Sequence, residues 1–101
     1  MSNILITGTG KGLGKAMKEK LISQGHKVYG FDMKDGNDIR NPELSEIPDI
    51  DILINNAGVN IINWLEDFEE SDWDKVMDTN AKGIYMMTKA CLPGLIKSKG
   101  T

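Results

Sequence analysis

The chain has 101 residues, 40% of them hydrophobic and 27% charged, which is a globular composition and too short for more than one domain. Its formal net charge is −3, so nothing draws it to nucleic acid by bulk electrostatics, and no run of about 18 apolar residues is available for a membrane span. A single cysteine, Cys91, excludes an internal disulfide and a cysteine-built zinc centre, and makes a reducing, cytoplasmic setting the expectation.

Residues 3–8 (Asn3-Ile4-Leu5-Ile6-Thr7-Gly8) read as a short strand. They lack polar alternation, as a strand covered on both faces does. Residues 12–24 read as a helix with Leu13, Met17, Leu21 and Ile22 at helical spacing and Gly25 as its stop. Lys27 to Asp32 form a second strand. Strand, glycine turn, helix and strand make a βαβ unit.

Met33 to Ile50 is rich in turn formers: Gly36, Asn37, Asn41, Pro42 and Pro48. Within it, Asp38-Ile39-Arg40 is expected as a very short strand, and Pro42 to Glu46 as one or two helical turns capped by Asn41. Asp51 to Asn55 is the next strand. Ser71 is expected to cap a helix, answered by Asp74. A break is expected near Asn80, and then a helix over 81–97 with Ile84, Thr88, Cys91 and Leu95 on one stripe, bent at Pro93.

The turn Thr7-Gly8-Thr9-Gly10-Lys11-Gly12-Leu13-Gly14 joins the first strand to the first helix. Glycines let the backbone approach an anion, and a helix N-terminus offers free N–H groups. Gly8, Thr9, Gly10, Lys11, Gly12, Leu13 and Gly14 are therefore the candidate phosphate cradle. It is not a Walker loop, because Lys11 is followed by Gly12. Asp32 ends the second strand 18 residues past Gly14. A carboxylate there accepts hydrogen bonds from a ribose diol and repels a 2′-phosphate, which favours NAD over NADP. Lys11 pulls the other way and is outweighed by the placement of Asp32.

These residues resemble the classical short-chain dehydrogenase/reductase family. Its T-G-x-x-x-G-x-G loop matches Thr7, Gly8, Gly12 and Gly14, and its N-N-A-G matches Asn55-Asn56-Ala57-Gly58. The resemblance implies that Asn56, Ala57 and Gly58 line the adenosine side of a dinucleotide and that Asp38 and Ile39 reach the adenine. Trp73 to Asn80 resembles the stretch that ends in the family's catalytic asparagine, 24 residues beyond Asn56. Asn80 is then expected to hold a water in a proton relay.

The resemblance implies an α/β, Rossmann-like, doubly wound parallel sheet, truncated, with strands ordered 3-2-1-4. It covers essentially the whole chain, and the family's serine and Tyr-x-x-x-Lys are expected beyond Thr101. Tyr85 and Lys89 do spell Tyr-x-x-x-Lys, but too soon after Asn80, and read as a packing tyrosine and a surface lysine. The acids from Glu66 to Asp74 read as partners of a helix dipole rather than metal ligands. The expected function is the NAD(P)-binding part of an oxidoreductase acting on an alcohol or carbonyl. The alternative is a non-enzymatic module that binds a dinucleotide or a partner. The edge of the 51–55 strand and one face of the last helix are expected to be open, favouring a homo-oligomer or a complementary chain.

Overall fold

The computed structural model describes all residues from Met1 to Thr101. Strand β1 (Asn3–Thr7) leads through the glycine turn into helix α1 (Gly12–Ser23), and the chain returns as β2 (Lys27–Phe31). A single 3-10 turn, Met33–Asp35, opens a long connection to β3 (Ile52–Ile54). A second 3-10 turn, Leu65–Asp67, precedes α2 (Glu70–Met77). A π-helical segment, Asp78–Lys82, then runs directly into α3 (Gly83–Ser98).

The three strands form a parallel sheet in the order β2-β1-β3. Leu5 stands opposite Tyr29 on one side and Leu53 on the other. The central place of β1 explains its unbroken apolar run: Ile4, Leu5 and Ile6 are at most 1% exposed. Leu5 belongs to a cluster with Phe31, Ile39, Ile50, Met87 and Cys91, built on the α3 side. Alternation sends Ile4 and Ile6 to the other face, where α1 crosses β1 and β2.

The expected third strand does not form, so the order 3-2-1-4 is corrected to three strands that keep the 2-1-4 part. Asp38 uses its own groups locally instead. Its Oδ1 accepts the Arg40 backbone N–H at 2.9 Å, and its carbonyl accepts the Asn41 N–H at 3.0 Å. This side-chain-to-backbone turn takes the groups a strand would offer a neighbour. Pro42 to Glu46 is not helical either. Ile39 and Ile50 nevertheless enter the core, so the connection is anchored at two points.

Three further expectations shift. The α2 cap is Glu69 rather than Ser71, and the Asp72 carboxylate accepts the Glu69 N–H at 3.0 Å. On α1, Met17 and Leu21 are half-buried but Leu13 and Ile22 are 68% and 50% exposed. On α3 the buried stripe is Gly83, Met87, Cys91 and Gly94, while Ile84 is exposed. A Cβ on Gly83 would lie 2.5 Å from Ile39 Cδ1, and one on Gly94 would lie 2.8 Å from the Ile50 nitrogen. The helix thus turns its glycines inward so that the connection can lie against it. Pro93 is accommodated inside α3.

The β3 edge is less open than its sequence suggests. α3 ends with Lys99 in the left-handed region (φ 54°, ψ 39°), with Lys99 N–H donating to Ile96 and Gly100 N–H to Leu95. The chain then turns onto β3: Thr101 N–H donates to the Asp51 carbonyl at 3.0 Å, and Leu53 N–H donates to the Thr101 carbonyl at 2.8 Å. These two bonds are one rung of a parallel ladder. Gly100 permits it, because a side chain there would collide with the Asp51 carbonyl. The segment before α2 is different. Ile62, Trp64 and Leu65 are 75–90% exposed, and the radius of gyration, 14.8 Å, exceeds the roughly 13 Å of a compact chain this long.

Candidate cofactor site

A parallel sheet gathers its loops at the C-terminal ends of its strands, and a crevice opens where neighbouring connections diverge. Here β1, β2 and β3 deliver the glycine turn, Asp32 and the Asn56–Val59 turn to one cleft of about 470 Å³. That volume suits a small organic ligand or half of a dinucleotide.

The glycine turn is shaped by positive backbone angles. Gly8 has φ +72° and Gly12 has φ +60°, values that strain any side chain. A Cβ on Gly12 would meet nothing within 4 Å, so its backbone faces open space beside the start of α1. Gly14 has the opposite reason for being glycine: a Cβ would strike the Gly8 carbonyl and lie 2.5 Å from Asn56 Nδ2. The first turn of α1 therefore sits directly on the end of β1.

Two side chains bind the turns of β1 and β3 into one unit. Thr7 Oγ1 accepts the N–H groups of Asn56 and Ala57 at 3.0 and 2.9 Å. Asn56 Nδ2 donates to the carbonyls of Thr7 and Gly8 at 3.2 and 3.1 Å. The Asn56-Ala57-Gly58 turn is thus fixed by polar groups that the sequence displays plainly.

Asp32 lies at the cleft with both oxygens engaged by backbone: Oδ1 accepts the Lys34 N–H at 2.8 Å and Oδ2 the Gly10 N–H at 2.7 Å. Those N–H groups, Lys34 first and then Gly10, hold its carboxyl below the usual carboxylate range. Asp32 therefore also ties the glycine turn to the end of β2. Asp38 and Ile39 line the same cleft even though they form no strand. Arg40 pairs with Asp38 at 2.9 Å, and that pairing lowers the Asp38 carboxyl's pKa.

Of the sequence-derived candidates, Gly8, Lys11, Gly12, Asp32, Asp38, Ile39, Asn56, Ala57 and Gly58 line the cleft. Thr9, Gly10, Leu13 and Gly14 do not, and act at one remove or, for Leu13, stand exposed at the surface. Thr9 is buried and faces Gly30, and Gly10 serves Asp32. Asn80 is outside the lining too. Its Oδ1 accepts the Val59 N–H and its Nδ2 donates to the Val59 carbonyl, both at 2.7 Å. With these two bonds the side chain holds the loop after Gly58. It sits in the π-helical segment, a geometry often found at functional sites.

The sequence reading missed Phe31, Met33, Asn37, Arg40, Val59, Lys75 and Thr79 at the cleft. Lys75 and Thr79 stand at i, i+4 spacing just before Asn80, and nothing in that spacing alone points to the cleft. With Lys11, Arg40 and Lys75 against Asp32 and Asp38, the lining carries three cations and two carboxylates. Tyr85 and Lys89 are not part of it. Lys89 Nζ lies 5.8 Å from the Tyr85 ring centre, over the ring of a 58% exposed tyrosine.

Residues 38–101 match the short chain dehydrogenase family model. The NADP-dependent 3-hydroxy acid dehydrogenase of Escherichia coli K12 is 33% identical across 93% of this chain and 49% of its own length. The ligand-free aldohexose dehydrogenase of Thermoplasma acidophilum superposes with a TM-score of 0.86 at 26% identity, covering 96% of this chain and 45% of that one. The 3-ketoacyl-(acyl-carrier-protein) reductase of Brucella melitensis, complexed with NADH, gives 0.80 at 26% identity over 92% of this chain and 50% of its own. The chain spans about half the length of the relatives it matches. With its glycine turn, its Asn56-Ala57-Gly58 turn and its parallel β2-β1-β3 sheet, it belongs to the short-chain dehydrogenase family and corresponds to that family's N-terminal portion.

Proposed function

We propose that this chain is the dinucleotide-binding part of an NAD(P)-linked oxidoreductase that moves a hydride between the nicotinamide and an alcohol or carbonyl substrate. The observation that carries the reading is the convergence of the Gly8–Gly12 turn, Asp32, Asp38 and Asn56–Val59 on one cleft. The residues fit such a group. Gly12 leaves open space at a helix N-terminus, where an anionic diphosphate is favoured. Asp32 keeps one free lone-pair direction on each oxygen for a ribose diol. Asp38 and Ile39, with Ala57 and Gly58, line the same cleft and are the residues we assign to the adenosine end.

The bound cofactor would supply the hydride acceptor or donor. This chain's residues hold and orient it. Asn80 acts on the reaction as a positioning residue, since its carboxamide is committed to Val59 and so sets the loop that follows Gly58. Its second N–H and second lone pair stay free, and are the groups with which it would hold a water in a proton relay.

NAD is the cofactor we favour, with NADP the lesser ligand. The ionised Asp32 carboxylate at the cleft supports this, although the Escherichia coli relative is NADP-dependent. Calorimetric titration of NAD and NADP into wild type and Asp32→Ala tests it. Both affinities fall, because the Gly10 anchor goes, and NAD falls further. Equal losses for the two cofactors would contradict a ribose-binding role.

A further inference from the structure

With no third strand beside it, β2 is an edge strand, and its outward groups can be named. Lys27 N–H donates to the Ser2 carbonyl at 3.0 Å, and the Phe31 carbonyl accepts the Gly8 N–H at 2.9 Å. Alternate residues of a parallel ladder face one neighbour, so Lys27, Tyr29 and Phe31 turn their backbone groups to β1, and Val28 and Gly30 turn theirs away. Nothing else in the chain bonds the Val28 and Gly30 N–H and C=O groups. Val28, Tyr29 and Gly30 are all half-buried, so the strand meets solvent along this side. The opposite edge of the sheet differs, because there the Leu53 N–H is engaged by the Thr101 carbonyl.

Little on this edge keeps another strand away. It has no proline, its register with β1 is unbroken, and its lysine, Lys27, stands at the first position rather than the middle. Its composition also suits pairing with itself. Placed antiparallel about a two-fold axis at Tyr29, Val28 falls opposite Gly30 of the second copy. Each such pair exchanges two N–H···O=C bonds, because both residues present both groups outward. Tyr29 then meets its own counterpart at the close, non-hydrogen-bonded position, where aromatic pairs stabilise a sheet. Gly30 adds no side chain beside the opposing valine, and a Cβ there would lie 2.5 Å from Thr9 Oγ1. The same register brings the Lys27 end of each strand to the Asp32 end of the other, cation beside carboxylate. A parallel pairing of two copies would set like ends together.

We infer that the outer edge of β2 is an interaction surface for a second copy of this chain, paired antiparallel through Val28 and Gly30 into a two-fold dimer with one continuous sheet in the order β3-β1-β2-β2-β1-β3. The contact is narrow, 5 residues on each side. It therefore falls among the weak interfaces, with a dissociation constant on the order of tens of micromolar.

Sedimentation velocity of the full chain, over concentrations about tenfold below and above that value, reads the association. Wild type passes from monomer to dimer across the range. Val28→Pro removes an outward N–H that the fold itself does not use, and proline is tolerated on an edge strand. The variant keeps its circular dichroism spectrum while its dissociation constant rises at least about tenfold. Two cysteine variants read the register under a mild oxidant, the native Cys91 being buried. Tyr29→Cys crosslinks to its own counterpart, because the facing Cα atoms stand about 4.5 Å apart, within disulfide range. Lys27→Cys does not, because the residue opposite it is Phe31. A wild type that stays monomeric throughout overturns the inference. So does a dimer that survives Val28→Pro unweakened, or one whose crosslinking does not favour Tyr29→Cys over Lys27→Cys. Should Val28→Pro fail to fold, the cysteine pair alone decides.

Discussion

Replacing Thr7 by valine removes one oxygen and keeps the shape of the side chain. Thr7 is 1% exposed, and its hydroxyl is the acceptor for the N–H groups of Asn56 and Ala57. Asn56 N–H also reaches the Ile54 carbonyl at 3.1 Å, so it keeps a partner. Ala57 N–H has none left. An orphaned donor costs roughly 1–3 kcal/mol, and the lower half of that range suits a partly buried turn. With about 1.5 kcal/mol for Ala57, up to about 1 for the weakened Asn56 bond and about 0.8 returned by the new methyl, the net loss is about 1.5 kcal/mol. In urea, with a slope of roughly 1–1.5 kcal/mol per molar, the midpoint falls by about 1 M. Thr7→Ser keeps the acceptor and loses only a methyl, about 0.8 kcal/mol. The sharper contrast is in binding: the valine variant loosens the Asn56–Gly58 wall and weakens NAD, and the serine variant does not. A valine variant within about 0.5 kcal/mol of wild type that binds NAD normally would refute the claim that this hydroxyl organises the turn.

Lys99 occupies a left-handed conformation at the end of α3, a position where glycine has no Cβ to strain. Lys99→Gly therefore stabilises the chain by about 0.5–1 kcal/mol, seen as a thermal midpoint a few degrees higher by circular dichroism; an unchanged or lower midpoint contradicts the strain. The carboxyls of Asp32 and Asp38 are held below the ordinary value of 3.8 by hydrogen bonds that form only in the folded chain. Their stabilisation is complete above that ordinary value and is lost as pH falls through the depressed folded values. Urea midpoints recorded from about pH 5 to about pH 2 thus fall more steeply for wild type than for an Asp32→Asn/Asp38→Asn variant, and parallel curves would show that neither carboxylate is held by folding.

The elements with their own strong local signal were legible. β1 announces itself by three consecutive buried aliphatics, and the glycine turn by Gly8 and Gly12, whose positive backbone angles strain a side chain. The third strand was misread because Asp38-Ile39 looks extended in composition, while the Asp38 side chain has a closer use in capping the Arg40 N–H. The stripe on α3 was misplaced because hydrophobicity draws attention to Ile84, whereas contact distance favours Gly83 and Gly94. Glycines at a close crossing carry no hydrophobic signal. Asn80 was found by motif, but its committed carboxamide was not, since its partner is the backbone of Val59, twenty-one residues earlier. Lys75 and Thr79 reach the cleft only because the chain turns back past Gly58, which no local pattern encodes.

The carboxamide of Asn56, bonded to two successive carbonyls at the end of β1, has a thermodynamic consequence. Opening the glycine turn and opening the turn after β3 are not independent events, because either one strands the same polar groups. A ligand resting on Gly12 therefore also protects the Ala57 amide, whose N–H is bonded to Thr7 Oγ1. Slowed hydrogen exchange there would report occupancy of the opposite wall, and the two sides of the cleft respond to a ligand as one thermodynamic unit.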